Sequence, residues 1–132
     1  MSESLSFAHV TVAVSDLNRS VPWNGRVFDT ELSLDLSPGP FRRAVLLVGG
    51  HTVVGLHQFP DAADAGPFDE RRVGLDHLAF AGRDRRELEA WELRRDGLGI
   101  AHGGIVDAAY GSGLSFRHPD NIALEFFAPR AQ

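Results

Sequence analysis

Residues 7–16 read Phe7-Ala8-His9-Val10-Thr11-Val12-Ala13-Val14-Ser15-Asp16, and residues 75–84 read Leu75-Asp76-His77-Leu78-Ala79-Phe80-Ala81-Gly82-Arg83-Asp84. The second stretch repeats the first at an offset of 68 residues, with His9, Asp16 and Trp23 falling on His77, Asp84 and Trp91. Further on, Gly55-Leu56-His57-Gln58-Phe59 falls on Ala123-Leu124-Glu125-Phe126-Phe127 at the same offset, without a gap. Self-similarity at a fixed spacing means that one supersecondary unit has been used twice. A packing repeat needs only its apolar positions to recur. Here ionisable positions recur as well, which points to a site built from both copies.

Each copy reads as strand, helix, then three strands. In the first, residues 7–14 alternate, with Val10, Val12 and Val14 on one face and Phe7, His9, Thr11 and Ala13 on the other. Asp16 is placed to cap a helix that runs through Trp23 to Phe28, with Pro22 tolerable only near its first turn or at a bend. Strands follow at 32–36, 41–48 and 52–59, separated by turns at Pro38-Gly39-Pro40 and Gly49-Gly50. The second copy gives a strand at 75–81, a helix capped by Asp84, and closing strands around Ile105, at 113–117 and at 122–127. The expected architecture is α+β: two tandem βαβββ modules, 1–59 and 74–132, joined by a linker at 60–73 within a single domain. They are expected to form a curved, cup-like mixed sheet with helices on its convex face.

Composition narrows the function classes. The chain has 132 residues, a formal charge of −5 and no cysteine. Disulfides, thiolate ligands and a cysteine nucleophile are therefore excluded. Arg71-Arg72, Arg85-Arg86 and Arg94-Arg95 each lie beside acidic residues and read as solvated faces, so nucleic acid is not an expected partner. The first residues carry no basic start or apolar core of a signal peptide, and no apolar run reaches membrane-spanning length. The expected location is cytoplasmic.

Strand parity puts His57 and Phe59 on the face of the last strand that matches His9, and Glu125 and Phe127 on the equivalent face in the second copy. If the sheets curve and pair, His9, His57, His77 and Glu125 converge in one cup. Three imidazoles and a carboxylate suit a divalent metal such as Zn, Ni, Fe, Mn or Co, with positions left for water or substrate. Phe7, Phe59 and Phe127 share that face with Thr11, and Tyr110 falls at the rim, so these five form the expected substrate-binding set. Trp23 and Trp91 read as helix-to-sheet core. His51, His102 and His118 read as surface residues, with the rim of the cup as the alternative place for His102.

Phe7-Ala8-His9-Val10 with Ser15-Asp16-Leu17, Gly74-Leu75-Asp76-His77-Leu78-Ala79-Phe80, and His118-Pro119-Asp120 leading to Ala123-Leu124-Glu125-Phe126-Phe127 resemble the vicinal-oxygen-chelate superfamily. That group includes glyoxalase I, fosfomycin-resistance transferases, extradiol dioxygenases and bleomycin-resistance proteins, and the resemblance covers nearly the whole chain. It implies metal ligands on the first and last strands of each module: His9, His77 and Glu125, with His57 in the fourth place, or Gly55 if the register slips by two. It further implies a metal-dependent enzyme acting on a small oxygen-chelating substrate, with Glu125 doubling as proton-transfer base. Separately, four-stranded sheets leave edges and one face to cover, so a homodimer is expected, in which modules pair within or between chains. The alternative is a metal-free antibiotic-binding protein that holds an aromatic molecule in the same cup. Two further departures from the family pattern are Asn121 in the closing turn, where Gly is usual, and Asn24 after the helix Trp, where an aromatic is common.

Overall fold

A computed structural model describes residues 5–36, 39–61 and 66–130. The chain divides into two compact units, Met1–Gly66 and Pro67–Gln132, so the division falls inside the expected linker and residues 67–73 belong with the second unit. The first unit runs β1 (Val10–Ala13), α1 (Leu17–Phe28), β2 (Leu32–Asp35), β3 (Arg42–Val48) and β4 (Thr52–Gln58). The second repeats this as β5 (Leu78–Ala81), α2 (Arg85–Gly97), β6 (His102–Ala108), β7 (Gly111–Arg117) and β8 (Ala123–Pro129). Each unit carries its own four-stranded mixed sheet, in the orders β1-β4-β3-β2 and β5-β8-β7-β6. The first strand pairs in parallel with the last, because a helix crosses between them. Pro38 of the expected Pro38-Gly39-Pro40 turn lies outside the described residues.

Both helices begin where the sequence places them. The Asp16 carboxylate accepts from the Asn18 N–H, and Asp84 from the Glu87 N–H, each satisfying an otherwise unpaired first-turn donor. Pro22 lies past the first turn of α1 and withholds the N–H that the Asn18 carbonyl would accept. One face of each sheet is covered by its helix. Val27, Phe28, Leu46, Val54 and Leu56 are buried in the first unit, and Leu88, Leu114, Leu124 and Phe126 in the second. Trp91 lies flat on Phe126 at 4.8 Å, as a helix-to-sheet core residue should.

Three expectations are corrected. Both first strands are shorter than their alternation suggests, so His9 and His77 stand just ahead of β1 and β5. His118 is buried, not surface, because its Nδ1 accepts the Asp120 N–H and closes the β7–β8 turn. Arg95 is wholly buried rather than solvated. Its guanidinium carbon lies 4.7–5.3 Å from the rings of Phe116, Phe126 and Trp91, and burial lowers its pKa to about 10.

The turn departure has a local reason. Asn121 adopts φ +68°, a left-handed conformation that Asn tolerates better than most residues, and its amide donates to the Phe68 carbonyl at 3.0 Å. Asn24 is buried and donates to the Ser20 carbonyl at 2.8 Å.

Candidate functional site

The face of the second sheet opposite α2 carries the chemistry. Glu125 on β8 pairs with Ala79 on β5 and with Ser115 on β7, and its carboxylate lies 3.6 Å from His77 Nε2. That is too long for a hydrogen bond. It is the spacing of two ligands on one ion: donors ~2.1 Å from a tetrahedral centre sit about 3.4 Å apart. His77 Nδ1 lies 2.8 Å from Asp76 Oδ1. Because an ionised carboxylate only accepts, Nδ1 is the donor to Asp76, and Nε2 is the ring nitrogen that faces Glu125. Carboxylate–histidine pairs of this kind orient metal-binding imidazoles. Gly113, on the neighbouring strand, makes room for the acid: a Cβ there would stand 3.0 Å from Glu125 Oε1.

His77 and Glu125 line an open cleft of about 590 Å³ contained in the second unit. Arg117 and Glu70 line it as well, tied by two bonds of 2.8 and 2.9 Å. Those bonds hold the Glu70 carboxyl far below its usual range, at about 2. Sequence reading missed both residues, since Glu70 fell in the expected linker and Arg117 at the end of a closing strand. His102 also lines the cleft, with Nε2 on Asp96 and Nδ1 accepting from Gly104 N–H. Phe127 faces Tyr110 with ring centres 6.0 Å apart.

The first unit departs from the simple repeat. Thr11 pairs with Gly55, whereas its counterpart Ala79 pairs with Glu125. Ala79 is 68 residues from Thr11 (79 − 11), but Glu125 is 70 from Gly55 (125 − 55). The two extra residues of the second module lie in its helix, 13 residues against 12, and in the helix exit, four residues (98–101) against three (29–31). Gly55, not His57, therefore holds the strand position of Glu125, and His57 holds that of Phe127. A Cβ at Gly55 would meet Thr11 Oγ1 at 2.6 Å, so the threonine fills that space. His57 instead joins an aromatic group, 5.0 Å from Phe41, which is itself 4.6 Å from Phe59. Phe41 was not expected in the site. His9 and Phe7 are exposed ahead of β1.

Of the expected ligand set, His77 and Glu125 are brought together, and among the described residues no three His, Asp or Glu side chains are gathered for a metal ion. Among them, too, no helix is long and apolar enough to cross a membrane.

A duplicated βαβββ unit with this His–Glu pair defines a class of protein, and sequence comparison agrees. The chain belongs to the glyoxalase/bleomycin resistance protein/dioxygenase superfamily, whose model matches residues 6–126. It is similar to a glyoxylase/bleomycin resistance protein/dioxygenase domain from Frankia sp. EAN1pec, at 32% identity and a TM-score of 0.86 over 96% of this chain and 94% of that one. Its fold also matches the fosfomycin resistance protein FosX from Listeria monocytogenes, at 20% identity and a TM-score of 0.73, covering 98% of this chain and 94% of that one. FosX from Mesorhizobium loti gives 24% identity and a TM-score of 0.69 over 98% and 94% of the two chains. No curated protein matches the chain.

Proposed function

We propose that the protein is a metal-dependent enzyme of this superfamily acting on a small substrate with adjacent oxygens, with His9, His77 and Glu125 holding one divalent ion. The observation that carries this reading is the His77–Glu125 pair at ligand spacing, with Asp76 fixing the imidazole tautomer. The strand register favours three ligands over four, because Gly55 has no side chain to offer at the position equivalent to Glu125. Two histidines and one carboxylate suit Fe, Mn, Co, Ni or Zn and leave several coordination positions open. Structures of Listeria FosX in complex with Mn(II) support a divalent ion in this fold.

When bound, the ion supplies a Lewis acid that polarises the substrate oxygens. The chain's own residues do the rest. Asp76 keeps the His77 proton on Nδ1 and so holds the ring in place. Glu125, mostly shielded from solvent, can accept a proton from a carbon next to the polarised oxygens. Gly113 leaves the space that this carboxylate occupies.

The aromatic groups Phe41–His57–Phe59 and Tyr110–Phe127 favour a second reading, in which a flat antibiotic is sequestered by stacking. Metal titration separates the two. The enzyme reading expects about one equivalent of a transition metal, lost in Glu125→Gln together with turnover. Less than a tenth of an equivalent, with thermal stabilisation by an aromatic antibiotic that survives chelation, overturns it.

A further inference from the structure

The cleft of the second unit extends along β7 beyond Glu125, and we propose that it selects a substrate whose far end is an uncharged hydrogen-bond acceptor and discriminates against an anionic one. Ser115, Arg117 and Glu70 set that choice. The inference rests on the metal-site reading above and adds the class of substrate.

β7 turns Gly113, Ser115 and Arg117 to the cleft face in succession. Ser115 stands directly across from Glu125, and Arg117 lies two residues further on, about 7 Å along the strand. Among the described residues the Ser115 hydroxyl and the Arg117 Nε–H have no partner, so both are available to a ligand. Glu70 takes both terminal nitrogens of Arg117, and the Asn121 carbonyl accepts a third bond at 3.0 Å. The guanidinium is therefore fixed in direction, and its charge is already matched by a carboxylate that stays ionised across the neutral range.

Charge then decides between ligands. One guanidinium lines the cleft against the carboxylates of Glu70, Asp76 and Glu125, and a divalent ion would bring the sum only to zero. The imidazole of His102 adds none, since its Nδ1 accepts a backbone N–H. An anionic group beside Arg117 gains no net attraction and meets Glu70 and Asp76. A neutral amide or hydroxyl gains the same donors without that repulsion.

Calorimetric titration of the Mn(II)-loaded full chain with 3,4-dihydroxybenzamide and 3,4-dihydroxybenzoate tests this, because the two match in size and shape and differ at the end remote from the chelating oxygens, where one carries a neutral amide and the other a carboxylate. The amide is expected to bind about tenfold more tightly or better. Glu70→Gln unmasks Arg117 and should erase or invert the preference. Ser115→Ala should weaken the amide while Mn(II) uptake is unchanged. Equal or tighter benzoate binding by the wild type, or a Glu70→Gln effect equal on both ligands, overturns the proposal, since a merely structural ion pair would move stability and not the ratio. If Glu70→Gln fails to fold, the salt dependence of the wild-type ratio replaces it: a preference based on charge shrinks as salt rises, and a salt-independent one refutes the inference. Failure to take up Mn(II) would remove the ion assignment alone. The same titrations on metal-free protein then decide, with a surviving preference for the amide sustaining the cleft assignment and no preference or no binding overturning it.

Discussion

Replacing Arg95 by Met tests whether a buried charge stabilises this fold. The side chain is 0% exposed, and its Nε, Nη1 and Nη2 have no hydrogen-bond partner among the described residues. The fall of its pKa from 12.5 to about 10, caused first by burial and then by Arg94, corresponds to at most about 3 kcal/mol of disfavoured charge. Screening by nearby dipoles makes that an upper bound. Against it stand three ring faces at 4.7, 4.8 and 5.3 Å, each worth about 0.5–1 kcal/mol, and the carbonyl end of α2, worth about 0.3–1 kcal/mol. The charge therefore comes close to breaking even. Methionine keeps the apolar stem and adds sulfur–aromatic contacts of roughly 0.3–1.5 kcal/mol. Urea unfolding at pH 7 should find Arg95→Met between neutral and about 2 kcal/mol more stable, whereas Arg95→Gln, which leaves a buried amide unsatisfied, should lose about 1–3 kcal/mol. The pH dependence has a definite sign. The folded-state pKa is the lower one, so the native protein releases this proton first, and wild-type stability should rise relative to Arg95→Met as pH passes about 10. An Arg95→Met protein less stable than wild type by more than about 1 kcal/mol would refute the reasoning, because the guanidinium would then have stabilising partners that the rings and helix end do not provide.

Gly55→Ala should cost about 1–2 kcal/mol in denaturant unfolding through its clash with Thr11, and most of that cost should vanish in a Thr11→Ala background; additive effects would contradict the packing described. Asp76→Asn should weaken metal binding about 10- to 100-fold by calorimetry without unfolding the chain, since it removes the charge that orients His77, and unchanged affinity would remove Asp76 from the site. The sheets end at β1, β2, β5 and β6, whose outer edges pair with no further strand among the described residues, so sedimentation at micromolar concentration should find a homodimer, and a monomer would refute that assignment.

The two βαβββ modules were legible because alternation, helix caps and turn residues recur together, and local signals of that kind act within each element. Burial of Arg95 was not legible. Charge runs are normally solvated, and only the tertiary placement of Trp91, Phe116 and Phe126 turns this one inward. His118 was missed for a similar reason: its ring replaces a backbone partner inside a turn, which no periodicity records. Glu70 and Arg117 are 47 residues apart, and nothing local announces their pairing.

The register of the first module shows the limit most clearly. A slip of two residues returns every side chain to the face it would have occupied, so Val54 and Leu56 are buried under α1 in either alignment. Apolar alternation therefore cannot tell His57 from Gly55 as the counterpart of Glu125: the gapless sequence match favours His57 and leaves Gly55 open, and the strand register puts Gly55 there. What separates them lies elsewhere in the chain, in one extra residue of helix and one of helix exit. The consequence is chemical. The second module keeps a carboxylate at the position in question, while the first holds a glycine filled by Thr11 and moves its histidine among aromatic rings. Duplication thus supplied two equivalent strand positions, and a two-residue difference in length gave them different work: one to hold charge, the other to shape a wall.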